Sequence, residues 1–323
     1  MSDRSQSAVR RMARRALVAR IARGQAGIVS RPQLYAAGIT RHEVRANLRA
    51  GRWRRIGSQS VAVHRGELTL AGRHWAAVFE AGPRAFLDGH SALQCAGLEH
   101  FDSDHVRVSV PRGARVRRAR GLDIRQTRRW RADDLAPGSG VPRTRPEVAA
   151  VRAALWARSD KQAALLLTMA VQQGLTTAEG LGRALLRVKR DKRRALTQAV
   201  VLDLLGGAGS LTELEVVREC RSRGLPAPSR QVLRRGRGGR LYLDLYWDEW
   251  GVVVEVDGIQ HGWASNVISD ALRHNDVALQ EAVVLRLPVL GFRVAREEFF
   301  DQIESALVAR GWSRPGGQTV RAL

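Results

Sequence analysis

The stretch RLYLDLYWDEWGVVVEVDG, residues 240–258, holds two β-prone runs, Arg240 to Trp247 and Val252 to Gly258, around the turn Asp248-Glu249-Trp250-Gly251. Centring that turn between Glu249 and Trp250 sets Asp244 opposite Glu255 and Tyr242 opposite Asp257. Successive strand residues point to opposite faces. Leu241, Leu243, Leu245, Val252, Val254 and Val256 therefore share an apolar face, and Asp244, Glu255 and Asp257 share the other. Two carboxylates opposed across a hairpin repel unless a cation, a proton or a donor lies between them, and Mg²⁺ is a hard cation suited to oxygen ligands on rigid strands. The alternative is a solvated polar face, although the strand neighbours of these acids are apolar.

Outward from the hairpin, Leu214, Val217 and Cys220 follow helical spacing with Glu213 on the same helix, and a loop rich in Pro, Arg and Gly is expected over 224–239. Downstream, a helix near Ile268 to Glu281, a strand near Val283 to Pro288 and a helix near Glu297 to Arg310 complete an α-β-β-α-β-α order. That order predicts an α/β unit with a mixed sheet covered on both sides, separable from the rest of the chain within 195–210.

The chain has 323 residues and a net charge of +23, with a sequence pI near 11.6. Residues 1–200 carry 39 Lys and Arg against 15 Asp and Glu, whereas residues 201–323 carry 15 against 16, so the whole excess lies in the first two thirds. Such a surface attracts polyanions, nucleic acid above all; the plain alternative is a generally basic soluble protein. No apolar run approaches the ~18 residues that span a bilayer, and the Arg-rich start leads into no apolar signal-peptide segment, so a cytoplasmic location is expected. The basic runs also lack the broad apolar helix face that a membrane surface would require. Cys95 and Cys220 are the two cysteines and lack CxxC spacing, which excludes a disulfide framework and a thiolate zinc site.

Residues 1–70 read as a winged helix-turn-helix. Ala13, Leu17 and Ile21 recur at i+4 on a first helix. Ser30 with Gln33, and Thr40 with Glu43, match capping boxes for two short helices that end at Gly38 and Gly51. Arg52 to Ile56, a Gly57-Ser58 turn and Ser60 to Val63 read as a β-hairpin wing. The third helix carries Arg41, His42, Arg45, Asn47 and Arg49 away from Val44 and Leu48, and the wing adds Arg52, Arg54 and Arg55 beside Trp53, a packing anchor. Groove-reading and phosphate-binding side chains in those places point to duplex DNA.

Residues 71–205 form a mostly helical basic middle region. Helices are expected over Leu68 to Glu80, Ser91 to Leu98 and much of Glu147 to Leu205, and a strand over Val106 to Val110. The arginine clusters at 112–131 and 183–194 are either solvated faces or extensions of a phosphate track. His90, His100 and His105 lack metal-ligand spacing and read as ordinary polar or core histidines.

Residues 206–323 also carry a resemblance. Asp244, ten residues, Glu255-Val256-Asp257-Gly258, His261, then Asp270-x-x-Arg273-x-Asn275-Asp276 and the strand Val284 to Leu287 resemble a family of unknown function related to very-short-patch-repair endonucleases, of the PD-(D/E)XK nuclease fold. The resemblance covers about residues 209–312. It implies a restriction-endonuclease-like mixed sheet flanked by helices, a Mg²⁺ or Mn²⁺ cofactor among Glu213, Asp244 and Glu255, and Asp257 and His261 acting on the attacking water. As a plain reading, His261 is a turn residue after Gly258. The broad motif's lysine is replaced by Asp257, and residues 201–323 contain no lysine, so His261 or an arginine such as Arg273 would have to substitute. Residues 1–200, with Gly89-His90-Ser91-Ala92-Leu93 leading to Gly97-Leu98, are similar to the AbiEi-type antitoxin family. Two functions follow from these resemblances: a metal-dependent endonuclease, or an antitoxin-like DNA-binding regulator with an inactive nuclease fold.

Overall fold

Two compact units, Met1–Arg152 and Ala153–Leu323, make up the structure, a computed structural model, and each combines helices with short sheets in a mixed α/β arrangement. The described residues are 3–114, 116, 119–127, 131–206, 213–235, 241–257, 268, 270–272, 274–275 and 284–314. For 3–5, 7, 206, 213–214, 230–235, 241–244 and 257 the description covers the backbone alone. Among the described residues, no helix is long and apolar enough to cross a membrane.

The first unit opens with α1 (Asp3–Arg23), β1 (Ile28–Ser30), α2 (Arg31–Ala36), α3 (Arg41–Arg49), β2 (Arg54–Arg55) and β3 (Ser60–Ala62). Both capping boxes form: Ser30 and Gln33 satisfy each other at the start of α2, as do Thr40 and Glu43 at α3. Gly38, at φ +81, supplies the left-handed turn that lets two helices follow each other so closely. The strands form an antiparallel sheet in the order β1-β3-β2, with Ile28 opposite Ala62 and Arg54 on the other side of the same residue.

The stripe on α1 is rotated from the expected one. Val18 and Ala22 are buried, Leu17 and Ile21 flank them, and Ala13 is exposed. One turn before Val18 stands Arg14, whose guanidinium bonds the Gly38 carbonyl at 2.6 Å. Apolar spacing alone does not register a polar residue on the packed face.

Next, α4 (Leu70–Ala81) closes against the first sheet: Ile28, Ala62 and Ala76 are buried together, with Ile56, Leu68, Trp75 and Phe79 packed around them. Residue 70 is therefore bridged by packing. Beyond it lie β4 (Phe86–Leu87), α5 (Gly89–Cys95), β5 (Val106–Pro111), β6 (Leu122–Thr127) and α6 (Pro146–Leu155). The second sheet runs β4-β5-β6, with β5 and β6 parallel. Strand β6 falls inside the expected arginine cluster.

At the centre of this region the buried Arg152 guanidinium reaches Asp88 at 2.9 Å and Asp134 at 2.7 Å. Asp88 also accepts from the Gly89 amide, the Ser109 hydroxyl and the Thr144 hydroxyl. Buried charges persist when hydrogen bonds meet them from several sides.

The second unit contains α7 (Asp160–Gln172), α8 (Ala178–Leu186), α9 (Arg194–Gly206), α10 (Glu213–Ser222), β7 (Arg230–Arg235), β8 (Leu241–Trp247), β9 (Val252–Asp257), β10 (Val284–Pro288), α11 (Val289–Val294) and α12 (Arg296–Ala309). Its sheet has the order β10-β9-β8-β7, parallel between β10 and β9 and antiparallel elsewhere. Strand β7 replaces part of the loop expected over 224–239. An end strand needs backbone pairing along one side only, which Arg-rich sequence supplies as well as any other. Helix α12 packs on β9, and α11 packs on β10, α9 and α7.

The break expected near 205 is crossed by charge. Arg293 on α11 bonds Asp203 on α9 at 3.0 Å and Glu215 on α10 at 3.0 Å, with Asp203 buried. Asp203→Asn in the full chain should therefore destabilise the second unit by about 3 kcal/mol. Hydrogen exchange is the check, with faster exchange expected in both α9 and α11; unchanged exchange would show that the pair does not tie them.

Candidate nucleic-acid interface and carboxylate face

Helix α3 exists because Thr40 and Glu43 cap its start and Val44 buries its inner face. The Glu43 amide donates to Thr40 Oγ1 at 3.1 Å, and the Thr40 amide donates to Glu43 Oε2 at 2.8 Å. That backbone hydrogen bond, with a smaller contribution from the Arg14 charge, holds the Glu43 carboxyl below the usual carboxylate range against the opposing effect of burial. With Val44 turned inward, Arg41, His42, Arg45 and Arg49 are exposed on the outer faces. The Arg41 guanidinium lies 5.9 Å from the centre of the Tyr35 ring on α2. Arg45 and Arg49 have no hydrogen-bond or ion-pair partner among the described residues.

Asn47 is different from its expected role. Its Nδ2 donates to the Glu43 carbonyl at 2.9 Å, and its Oδ1 accepts from Arg52 Nε at 2.8 Å, so its amide joins α3 to the ribbon instead of facing outward. The ribbon arginines are each anchored by one donor and otherwise exposed: Arg52 on Asn47, Arg54 on the Gly66 carbonyl at 2.9 Å and Arg55 on the Gly57 carbonyl at 3.1 Å. Two residues absent from the sequence-based site join them. Arg65 bonds the Gly51 carbonyl at 2.6 Å, and Arg14 bridges Gly38 and Glu43. Neither lies on α3 or in the hairpin, so no local pattern marks them. Trp53 packs on the core cluster, as a packing anchor does.

The ribbon turn is held by one carboxylate. Glu80 on α4 accepts from the Ser58 amide at 2.9 Å, the Ser58 hydroxyl at 3.0 Å, the Gln59 amide at 2.7 Å and the Ser60 hydroxyl at 3.0 Å. A side chain at Gly57 would run into that carboxylate, which is why the turn takes glycine there.

In the second unit, the β8–β9 register pairs Asp244 with Glu255 and Tyr242 with Asp257, as the turn centring predicts. Leu245, Trp247, Val252, Val254 and Val256 are buried on one face, joined by Leu285 and Leu287 of β10. On the other face, among residues whose side chains are described, Tyr246, Val253 and Glu255 are half-buried and Val284 and Arg286 are exposed. The neighbouring strands extend the acidic row to Val232-Asp244-Glu255-Arg286. Arg286 Nε stands 3.9 Å from Glu255 Oε2. Sequence spacing missed this arginine, because only the parallel pairing of β10 with β9 brings it alongside.

Glu213 opens α10, and Asp244 and Asp257 sit in their strands, but their side chains lie outside the described residues, as do His261 and Arg273 altogether. Among the described residues no three His, Cys, Asp or Glu side chains come together. The donor set of the acidic row, two carboxylates at facing strand positions, suits a hard divalent cation, and Arg286 offers Glu255 a second source of positive charge.

His74, His90 and Cys220 are buried titratable groups away from both surfaces. Burial lowers His90, whose Nε2 is 3.0 Å from the His105 carbonyl oxygen, and burial with the Arg73 and His90 charges lowers His74 to about 4. Burial, with the Glu219 charge, pushes the Cys220 thiol up to about 12, which removes it as a nucleophile at neutral pH.

No family model and no curated protein matches the chain. Among solved structures it is similar to the RV2827C protein from Mycobacterium tuberculosis, at 21% identity over 58% of this chain and 75% of that one, with a TM-score of 0.38.

The Glu80 clamp has a direct test. Glu80→Ala leaves four donors without their acceptor and should cost the first unit about 2–3 kcal/mol. Amide exchange at Ser58 and Gln59 should accelerate well before that of β1; equal protection in variant and wild type would mean that the turn is held by other contacts.

Proposed function

We propose that this protein binds duplex DNA through a winged helix built from α1–α3 and the β1-β3-β2 sheet, and that it hydrolyses a phosphodiester at the polar face of the β7–β10 sheet, whose fold is read as nuclease-like. The observation that carries the hydrolytic half is the direct cross-strand pairing of Asp244 with Glu255. Asp244, Glu255 and Glu213 would hold Mg²⁺ or Mn²⁺. The bound ion would lower the pKa of a water and offset phosphate charge. The chain's own residues divide the remaining work. Arg41, Arg45, Arg49, Arg52, Arg54 and Arg55 hold the polyanion, the apolar face keeps β8 and β9 in register, and Asp257 and His261, by the family resemblance, orient the water and take up its proton.

A second reading, a DNA-binding regulator of the antitoxin kind with an inactive nuclease fold, is favoured by the contact between Arg286 and Glu255. An arginine there balances Glu255 without any metal.

Binding is expected to be steeply salt-dependent. With about five phosphate contacts, the log-log slope of affinity against salt should be about −4 to −5, and replacing Arg52, Arg54 and Arg55 together should flatten it by about 2 to 3. Arg45→Ala should alter sequence preference as well as affinity. A salt-insensitive interaction would remove the winged helix from the account.

Cleavage of plasmid or oligonucleotide in Mg²⁺ or Mn²⁺ should depend on both acids, and losing either Asp244 or Glu255 should cost nearly as much as losing both. Asp244→Asn is the sharper test, since it keeps size and removes charge, and it should leave DNA binding intact. Wild type that cleaves neither DNA nor RNA, and binds no divalent ion by calorimetry, decides for the regulator.

A further inference from the structure

Among the described residues, strand β10 lies at one end of its sheet, with β9 as its strand neighbour. In the middle of it, both backbone polar groups of Arg286 are taken by a single side chain. The Arg286 amide donates to Asn275 Oδ1 at 2.7 Å, and Asn275 Nδ2 donates to the Arg286 carbonyl at 2.9 Å. The Asn275 amide thus acts as a one-residue strand. It is buried at 1% exposure, and its Nδ2 also donates to Gln302 Oε1 at 2.9 Å, while Gln302 Nε2 reaches the Leu272 carbonyl at 3.2 Å. A fully engaged, buried amide is therefore devoted to the backbone of one residue.

The side chain of that residue is left little choice of direction. Leu285 and Leu287 on either side are buried at 1%, so Arg286 emerges on the opposite face, beside Glu255. There it makes a loose contact. Its Nε lies 3.9 Å from Glu255 Oε2, beyond hydrogen-bond reach, and its side chain is 52% exposed. It has no other side-chain partner among the described residues. A half-exposed pair at that distance is worth little to stability. The geometry instead suits a guanidinium whose fork is free to receive a two-oxygen anion.

We infer that Arg286 is the phosphodiester-binding residue of the carboxylate face, resting on Glu255 until nucleic acid arrives, and that Asn275 is its positioning residue. The inference rests on the hydrolytic half of the proposed function. It places a guanidinium from β10 in the same cross-strand row as Asp244 and Glu255, in a part of the chain, residues 201–323, that contains no lysine.

The experiment uses the full chain, Mn²⁺ titrated by calorimetry and supercoiled plasmid as substrate. Arg286→Gln should slow plasmid nicking about 10²-fold at saturating plasmid, with the half-saturating plasmid concentration little changed because the first unit holds the DNA. The same variant should bind Mn²⁺ about threefold or more tightly, since a competing positive charge has left Glu255. Arg286→Lys should recover part of the nicking rate, and Asn275→Ala should lower that rate while the Arg286 amide exchanges faster and Mn²⁺ affinity is retained. If wild type nicks and binds Mn²⁺ and Arg286→Gln nicks equally well, the Arg286 assignment falls and the hydrolase stands. If Arg286→Gln loses Mn²⁺ binding together with nicking, Arg286 is structural and the assignment is likewise overturned. If wild type does neither, the hydrolase reading fails first and takes this assignment with it.

Discussion

Burial of one face of the β8–β9 hairpin constrains everything that can happen on the other. Leu245, Val252, Val254 and Val256 are at most 1% exposed, and a slip of one residue would carry them into solvent and the carboxylates into the core. The register that results sets Asp244 against Glu255. The pairing of these two positions is thus fixed by apolar packing on the reverse side of the same strands.

Two guanidinium clusters, one buried and one half-buried, fix the helices around the sheets. Arg152 binds Asp88 and Asp134 in the first unit, and Arg293 binds Asp203 and Glu215 in the second. Such clusters are costly to desolvate and add little net stability compared with apolar packing, but each is intolerant of losing one partner. Their effect is to fix position. Arg152 ties α6 to the start of α5 and to residue 134, while Arg293 ties α11 to both α9 and α10. The segments on either side of residue 205 are joined for this reason, despite the change in charge composition there.

The exposed arginines of the first unit are organised by the same economy of donors. Arg52, Arg54, Arg55 and Arg65 each spend one N–H on a backbone carbonyl or on Asn47 and keep the others outward. That arrangement restricts the rotamers these side chains can adopt. Glu80 and Arg14 act one step further back. Glu80 holds the ribbon turn from α4, and Arg14 holds the Gly38 turn and the Glu43 cap from α1, so half-buried charges brace the three helices and the ribbon.

Local pattern alone determined much of this protein. Capping residues marked the starts of α2 and α3, because Ser30, Gln33, Thr40 and Glu43 satisfy one another within a single turn. Strand alternation about a defined turn set the Asp244–Glu255 and Tyr242–Asp257 pairs, because register follows from turn position and period. Interactions between residues distant in sequence were decided only by the tertiary structure. Arg14 rotates the buried stripe of α1, Asn47 turns to Arg52, β7 adds an end strand from Arg-rich sequence, and Arg286 reaches Glu255 through parallel pairing with a strand about 30 residues away. Periodicity and capping are properties of neighbours along the chain, whereas a parallel strand partner or a bridging guanidinium depends on which elements the core brings side by side.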